Sequence, residues 1–407
     1  MKYFVLIPDG AADYKLPELD NKTPYMAAKK PVLDSLVKHS IVGMVSNVPE
    51  GMIPESDTAN LAIMSYDPKV YSRGRSPLEA VSMGLELRDG DIAFRCNLVT
   101  LTEDGNYEQK TILDHSSDEI TSEEAAELIE AVGKALGTDE RRFYAGVSYR
   151  HCMIWNCPPP YGDFMRPHDI LGKTIGPYLP DEPYRSIMRK SYEVLNRHPV
   201  NEARRSRGLR PGNSLWIWSP GGKPSLASFS GKWGVSAAVI SAVDLIKGIG
   251  ICAGMKVINV DGATGNIKTN FSGKAQAAIE AFESGTDLVY VHVEAPDECG
   301  HRAEAENKVK SIELIDEKIL GPVKSYLDSC GEPYKILYLP DHPTPVSTRT
   351  HSSDPVPFLI FESNRAHSGP DRFDEDSAAA SGIYVEHGHE LMGMFIRGLF
   401  NKTYRRF

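Results

Sequence analysis

The chain has 407 residues, too many for one ordinary core, so two domains are expected. Hydrophobic residues at 41% and charged residues at 25% are the mix of a globular protein in water. The formal net charge of −10 argues against a nucleic-acid binder, which carries a basic stripe, but leaves room for a local basic pocket that takes an anion.

In chain order, the apolar run 3–7 is stopped by Pro8-Asp9-Gly10 and reads as a strand. Residues 54–62 read as a loop entering a helix. Helical periodicity appears over 122–136, 237–249, 273–284 and 303–327. Further strands are expected at 256–260, 287–293, 335–339 and 357–361. This alternation predicts an α/β fold with a largely parallel sheet. The stretch 90–222 differs, with Pro158-Pro159-Pro160, the basic Arg204-Arg205-Ser206-Arg207 and a tryptophan-rich strand, Leu215-Trp216-Ile217-Trp218. It is expected to be an inserted second α/β domain, with 1–89 and 223–407 forming a discontinuous core and hinges near Arg88-Asp89-Gly90 and Gly221-Gly222-Lys223-Pro224. No apolar stretch approaches the roughly 20 residues that span a bilayer, and the start shows no cleavable leader. The six cysteines form no CxxC pair, so a cytoplasmic protein with reduced thiols is expected, without membrane or nucleic-acid partners.

The chemistry is concentrated at strand ends. Asp9, Asp297 and the Asp341-His342 pair each fall just past a predicted strand, at the edge where open parallel sheets bind ligands. Asp297 and His301 are four residues apart, close enough to share one ion, and His351 follows nine residues after His342. Any one of these residues alone is better read as a turn former, helix cap or structural histidine. Together, carboxylates and imidazoles form a donor set for manganese, zinc or magnesium. In Pro54-Glu55-Ser56-Asp57-Thr58, Ser56 lies near a helix start, where free N–H groups favour a phosphate. As an isolated segment, Ser56 or Asp57 reads as a simple N-cap, because a serine hydroxyl needs a base or metal to become a nucleophile.

With these residues in view, the chain resembles the archaeal-type cofactor-independent phosphoglycerate mutases of the alkaline phosphatase superfamily. The resemblance rests on Pro8-Asp9-Gly10, Ser56 through Leu61, Gly74-Arg75-Ser76-Pro77-Leu78-Glu79-Ala80 and Gly146 through His151. It continues in Asp244 through Gly250, Gly262 through Gly265, Asp297 through His301, Asp341-His342 and His351 through Phe358. It implies an alkaline phosphatase-like core with two divalent ions (Mn, Zn or Mg) and no 2,3-bisphosphoglycerate. Asp297, His301 and His351 would hold one ion, and Asp9, Ser56, Asp341 and His342 the other. Such ions stand about 3.5–4 Å apart. Arg75, His115, Arg150, His151 and Lys247 would contact a small phosphorylated carboxylate, each having a plain reading as a surface or structural group. Glu55 departs from the glycine that relatives carry before the serine, and Arg73 adds a charge.

The implied activity is interconversion of 3- and 2-phosphoglycerate through phosphoserine 56, with the inserted domain closing over the substrate to exclude water. A homoserine kinase-like phosphotransferase on the same scaffold is the alternative, and a non-enzymatic binding protein a more distant one. The oligomeric state is not indicated.

Overall fold

The computed structural model describes residues 1–398. The chain divides into two compact units, one made of Met1–Ser72 with Ser225 onward and the other of Arg73–Pro224. Strands in chain order are β1 (Lys2–Pro8) and β2 (Ile41–Val45), then β3 (Asp91–Leu101), β4 (Ile112–Asp114), β5 (Arg141–Tyr144), β6 (Arg150–Asn156) and β7 (Ser214–Gly222). The chain returns to the first unit with β8 (Ala237–Ile240), β9 (Lys256–Ile258), β10 (Leu288–Val293), β11 (Tyr334–Tyr338), β12 (Val356–Glu362) and β13 (Tyr384–Val385).

The first unit holds an eight-stranded sheet in the order β13-β2-β12-β11-β1-β10-β8-β9. Only β12 runs against its neighbours, β11 and β2. Every residue of β1, β10 and β11 is buried, as expected of parallel strands covered by helices on both faces. Phe4, Leu6, Val289, Val291 and Ile336 pack against Phe271, Ala278, Ile312 and Leu320 of the covering helices. The register sets Pro8 beside Val293 and Leu6 beside Tyr338, so β1, β10 and β11 end at one level. All three are followed within a few residues by acids, which is how distant sequence positions reach one place.

Residues 237–249 are not one helix. Ala237–Ile240 is a strand between β10 and β9, and the helix begins only at Asp244. Ala-Ala-Val-Ile suits either state, and pairing on both edges decides for the strand. The expected long helix is interrupted: Ala305–Ile315 is followed by a π turn, Asp316–Leu320, and then Gly321–Ser329. Pro322 lacks the N–H that a continuous ladder needs there.

The second unit is an antiparallel sheet, β4-β3-β6-β5, with β7 also paired to β3. Helices Ser122–Leu136 and Tyr184–Leu195 contribute Leu128, Val132 and Met188 to a core with Phe94, Leu98, Met153 and Trp216. Its first boundary lies at 72/73, earlier than the expected 89/90. The helix Ser76–Ser82 belongs with this unit because Ser76 donates to the Ser219 carbonyl and Pro77 lies against β7. A Cβ on Gly221 would meet the Arg73 carbonyl oxygen at 2.0 Å, so this glycine permits close packing rather than free hinge motion. All six cysteines are free. Among the described residues no helix is long and apolar enough to cross a membrane.

Candidate metal centre and nucleophile

At the end of β1 the chain turns through Gly10, at φ +63°. A Cβ there would meet Thr344 Oγ1 at 2.5 Å and Asp297 Oδ1 at 2.7 Å, so only glycine lets this turn lie against the acidic groups. The helix Ala295–His301 starts almost directly after β10 and places Asp297 and His301 one turn apart on one face. Asp341 and His342 follow β11.

Asp297, His301 and His351 converge. The His301 Nδ1 lies 2.9 Å from the Arg349 carbonyl oxygen, and the His351 Nδ1 2.7 Å from that of Pro54. A carbonyl only accepts, so each Nδ1 carries the proton and each Nε2 presents a lone pair. The two Nε2 atoms nevertheless stand 2.9 Å apart, each 3.3 Å from an Asp297 oxygen. Such a cluster of acceptors needs a positive charge at its centre. Without a metal a proton fills that role: hydrogen bonding to Asp297 pushes His301 up to about 9.

The second cluster is deeper. Asp9 is 2% exposed, Asp341 1% and His342 0%. His342 Nε2 lies 3.2 Å from Ser56 Oγ and 3.6 Å from both Asp9 Oδ1 and Asp341 Oδ2. Burial lowers the proton affinity of His342 below its ordinary value and favours the neutral ring that coordination requires. Asp341 is held by the N–H groups of Gly10 (3.1 Å) and His342 (2.9 Å) and by Asn60 Nδ2 (2.8 Å). Asn60 also donates to the Ser56 carbonyl and accepts from Tyr290, which fixes the nucleophile's helix to the sheet. Thr344 donates to Asp297 Oδ1. Asp9 Oδ1 is buried and makes no hydrogen bond. Burial, with Asp341 and Asp297 nearby, pushes the Asp9 carboxyl well above its usual range. Three carboxylates so placed cannot all ionise in a dry site unless cations join them. The orphaned oxygen and the mixed oxygen–imidazole donor set therefore fit divalent ions. A grouping of Asp9, Asp297 and His342 links the two clusters.

Ser56 is the first residue of the helix Ser56–Ile63. The cap position belongs to Glu55, in extended conformation and without a side-chain capping bond, so neither Ser56 nor Asp57 is the N-cap. The Ser56 hydroxyl instead faces His342 at the positive end of the helix.

The remaining expected residues are placed as follows. Arg75, His115 and Arg150 lie in the second unit, in a cluster with Arg95, Tyr149, His168 and Trp218. The Arg95 guanidinium stacks 4.5 Å from the Trp218 ring centroid and pairs with Glu79 at 2.9 Å. Burial lowers its proton affinity, Glu79 opposes that, and Arg75 and Arg150 add to it. His115 packs edge-on to Tyr149 and His168. His151 is turned the other way. It alternates with exposed Arg150 along β6, is 4% exposed, and accepts from the Gly146 N–H through Nδ1. Its hydrogen bond through Nδ1 is thus to the backbone of its own unit, and Nε2 is buried without a partner. Lys247 lies in the first unit, 3.7 Å from Asp244 one turn earlier, and is not among the grouped metal-site residues.

Sequence reasoning missed His292, Asn60, Thr344, Arg95 and His168. His292 is grouped with Asp9 and Asp341. Its signal was a single imidazole inside an otherwise apolar strand, two residues before a glutamate.

A family model described as 2,3-bisphosphoglycerate-independent phosphoglycerate mutase matches residues 37–201. A relative of that name from Methanothrix thermoacetophila is 46% identical over 408 residues, covering 98% of this chain and all of the relative. Among solved structures, a protein of Pyrococcus horikoshii superposes with a TM-score of 0.80 at 28% identity, covering 99% of this chain and 98% of that one. The cofactor-independent phosphoglycerate mutase of Thermoplasma acidophilum gives 0.68 at 27% identity, over 98% and 99% of the two chains. The homoserine kinase-like alternative finds no support among these relatives.

Proposed function

The chain belongs to the 2,3-bisphosphoglycerate-independent phosphoglycerate mutase family, and from that premise we infer that it interconverts 3- and 2-phosphoglycerate through phosphoserine 56. The observation that carries this reading is Ser56 Oγ at a helix N-terminus, 3.2 Å from His342 Nε2 and beside the carboxylate cluster.

Asp297, His301 and His351 would hold one divalent ion, and Asp9, Ser56, Asp341 and His342 a second. Bound there, such ions would lower the pKa of the serine hydroxyl and neutralise phosphoryl charge. Ser56 Oγ gives up its proton and attacks the phosphorus of 3-phosphoglycerate, the phosphorus–oxygen bond to C3 breaks, glycerate leaves with a proton on that oxygen, and the first N–H groups of the helix face the phosphoserine dianion. Asn60, anchored to Asp341 and Tyr290, keeps the Ser56 backbone at a fixed distance from the donors. Glycerate then takes the group back at its 2-hydroxyl. Arg75 and Arg150, with Arg95 behind them, are the candidate cationic contacts for the carboxylate and phosphate of the substrate, and His115 is a candidate hydrogen-bonding contact. Lys247 is retained as a further candidate contact.

The test is direct. Purified protein given 3-phosphoglycerate and Mn²⁺, with no bisphosphoglycerate, should form 2-phosphoglycerate. Chelation should stop turnover and Mn²⁺ should restore it. Quenched reactions should yield a peptide phosphorylated at Ser56. Turnover that persists after verified metal loss, or that requires added bisphosphoglycerate, would refute the proposal.

A further inference from the structure

Behind the second cluster a chain of buried polar groups runs inward from the metal centre. Lys274 Nζ, fully buried, donates to the His292 carbonyl at 2.7 Å and pairs with Glu294 Oε2 at 3.0 Å. Glu294 Oε1 accepts from Ser241 Oγ (3.0 Å) and from the N–H groups of Ala242 (3.0 Å) and Val243 (3.1 Å). Paired with Lys274 and accepting from three donors, the Glu294 carboxylate only accepts. His292 Nδ1 lies 3.3 Å from that oxygen and therefore carries the ring proton. In the neutral ring, Nε2 is left with a lone pair. It is buried, 3.4 Å from Asp9 Oδ2 and 3.8 Å from Asp341 Oδ2, and makes no hydrogen bond. Asp9 Oδ1 beside it also makes none.

We propose that His292 is a further ligand of the second ion, acting through Nε2 with Asp9, Asp341 and His342, and that Glu294, fixed by Lys274, sets its tautomer. The proposal deepens the two-ion mutase reading and rests on it. Atoms bound about 2.0–2.2 Å from one ion stand about 3–3.5 Å apart, close to the separations seen here. A carboxylate on the far nitrogen of a ligating imidazole is the arrangement that fixes its orientation and raises its basicity. A doubly protonated His292, serving as a buried counter-charge to Asp9 and Asp341, is the rival arrangement.

The experiment titrates metal-free protein with Mn²⁺ alone, following free Mn²⁺ by electron paramagnetic resonance. The parent should take up two equivalents; fewer would overturn the two-ion reading itself, whatever the variants do. His292→Ala and Glu294→Gln should keep one equivalent at parental affinity, held by Asp297, His301 and His351. They should bind the other about 10- to 100-fold more weakly. Glu294→Gln has the same shape, but its amide nitrogen can donate to Nδ1 and drive the ring proton to Nε2. Two equivalents bound by both variants within about threefold of the parent would overturn the ligand role and leave the imidazolium arrangement. If His292→Ala does not fold, Glu294→Gln decides, provided its metal-free melting temperature matches the parent's. Loss of both ions together in that variant would equally overturn the proposal, because the damage would not be confined to one ion.

Discussion

Ser56 differs from an ordinary surface serine only in what surrounds it: His342 Nε2 at 3.2 Å, a helix start behind it, and Asn60 holding its carbonyl. Ser56→Ala removes that oxygen with its His342 contact and leaves the helix start and the Asn60 bond to the carbonyl. It should reduce mutase turnover by more than about a thousandfold while the circular dichroism spectrum and melting temperature stay parental. Near-parental turnover would remove Ser56 as the nucleophile. His151 shows a buried imidazole used for structure. Burial lowers it to about 3, below the ordinary value of 6.5, so the unfolded chain binds its proton first as pH falls. Stability from this group is fully present above about pH 6.5 and is lost as pH falls toward about 3, at about 1.4 kcal/mol per pH unit. His151→Gln should flatten the pH dependence of unfolding free energy over that window by one proton. An unchanged slope in denaturant melts from pH 6.5 to 4.5 would show that the ring is not held neutral.

Strand ends do most of the assembling, because β1, β10 and β11 finish at one level and each is followed by a turn or helix start carrying an acid. Gly10 is the tightest of these joints. Gly10→Ala would incur about 1–2 kcal/mol for the left-handed backbone and would press a methyl group on the Asp297 Cα at 2.8 Å, which cannot rotate away. It should weaken uptake of both ions at least tenfold, read by metal titration, and lower the melting temperature of the metal-free protein. Parental affinity for both would mean the turn does not set donor spacing. These joints were legible in the sequence, because Pro8-Asp9-Gly10 and Pro340-Asp341-His342 interrupt apolar runs abruptly. The runs themselves announced β1, β10, β11 and β12, since strands buried on both faces have no polar alternation to confuse the reading. β8 was not legible, because Ala237–Ile240 becomes a strand only through pairing with β10 and β9. His292 was hidden for a related reason: from the sequence it is one residue of an apolar strand, and its partners Asp9, Asp341 and Lys274 come from other elements. The break at Arg73 escaped notice because the packing of 73–77 against Gly221 is a tertiary fact without a local signature.

Taken as a whole, the molecule sorts its charged groups by unit. Every proposed metal donor belongs to the unit of Met1–Ser72 and Ser225 onward, while Arg75, Arg95, His115, Arg150 and His168 belong to Arg73–Pro224. The overall net charge of −10 therefore conceals a local cationic cluster built on β3, β6 and β7. Its members are not equivalent. Arg95 is committed to Glu79 and the Trp218 face, and its removal would damage packing as well as charge. Arg150 is exposed at the first position of β6, 5.7 Å over Tyr149, and can meet an anion at little structural cost. Arg150→Ala should then raise KM for 3-phosphoglycerate about 10- to 100-fold, the loss of a charge-assisted contact of roughly 1.5–3 kcal/mol. Bound metal and melting temperature should stay parental, because no metal donor lies in that unit. Arg150→Lys should recover only part of the loss, since an ammonium cannot match a carboxylate bidentately. A parental KM in Arg150→Ala would take Arg150 out of substrate binding. An altered metal content would instead show that the two units do not divide the work in this way.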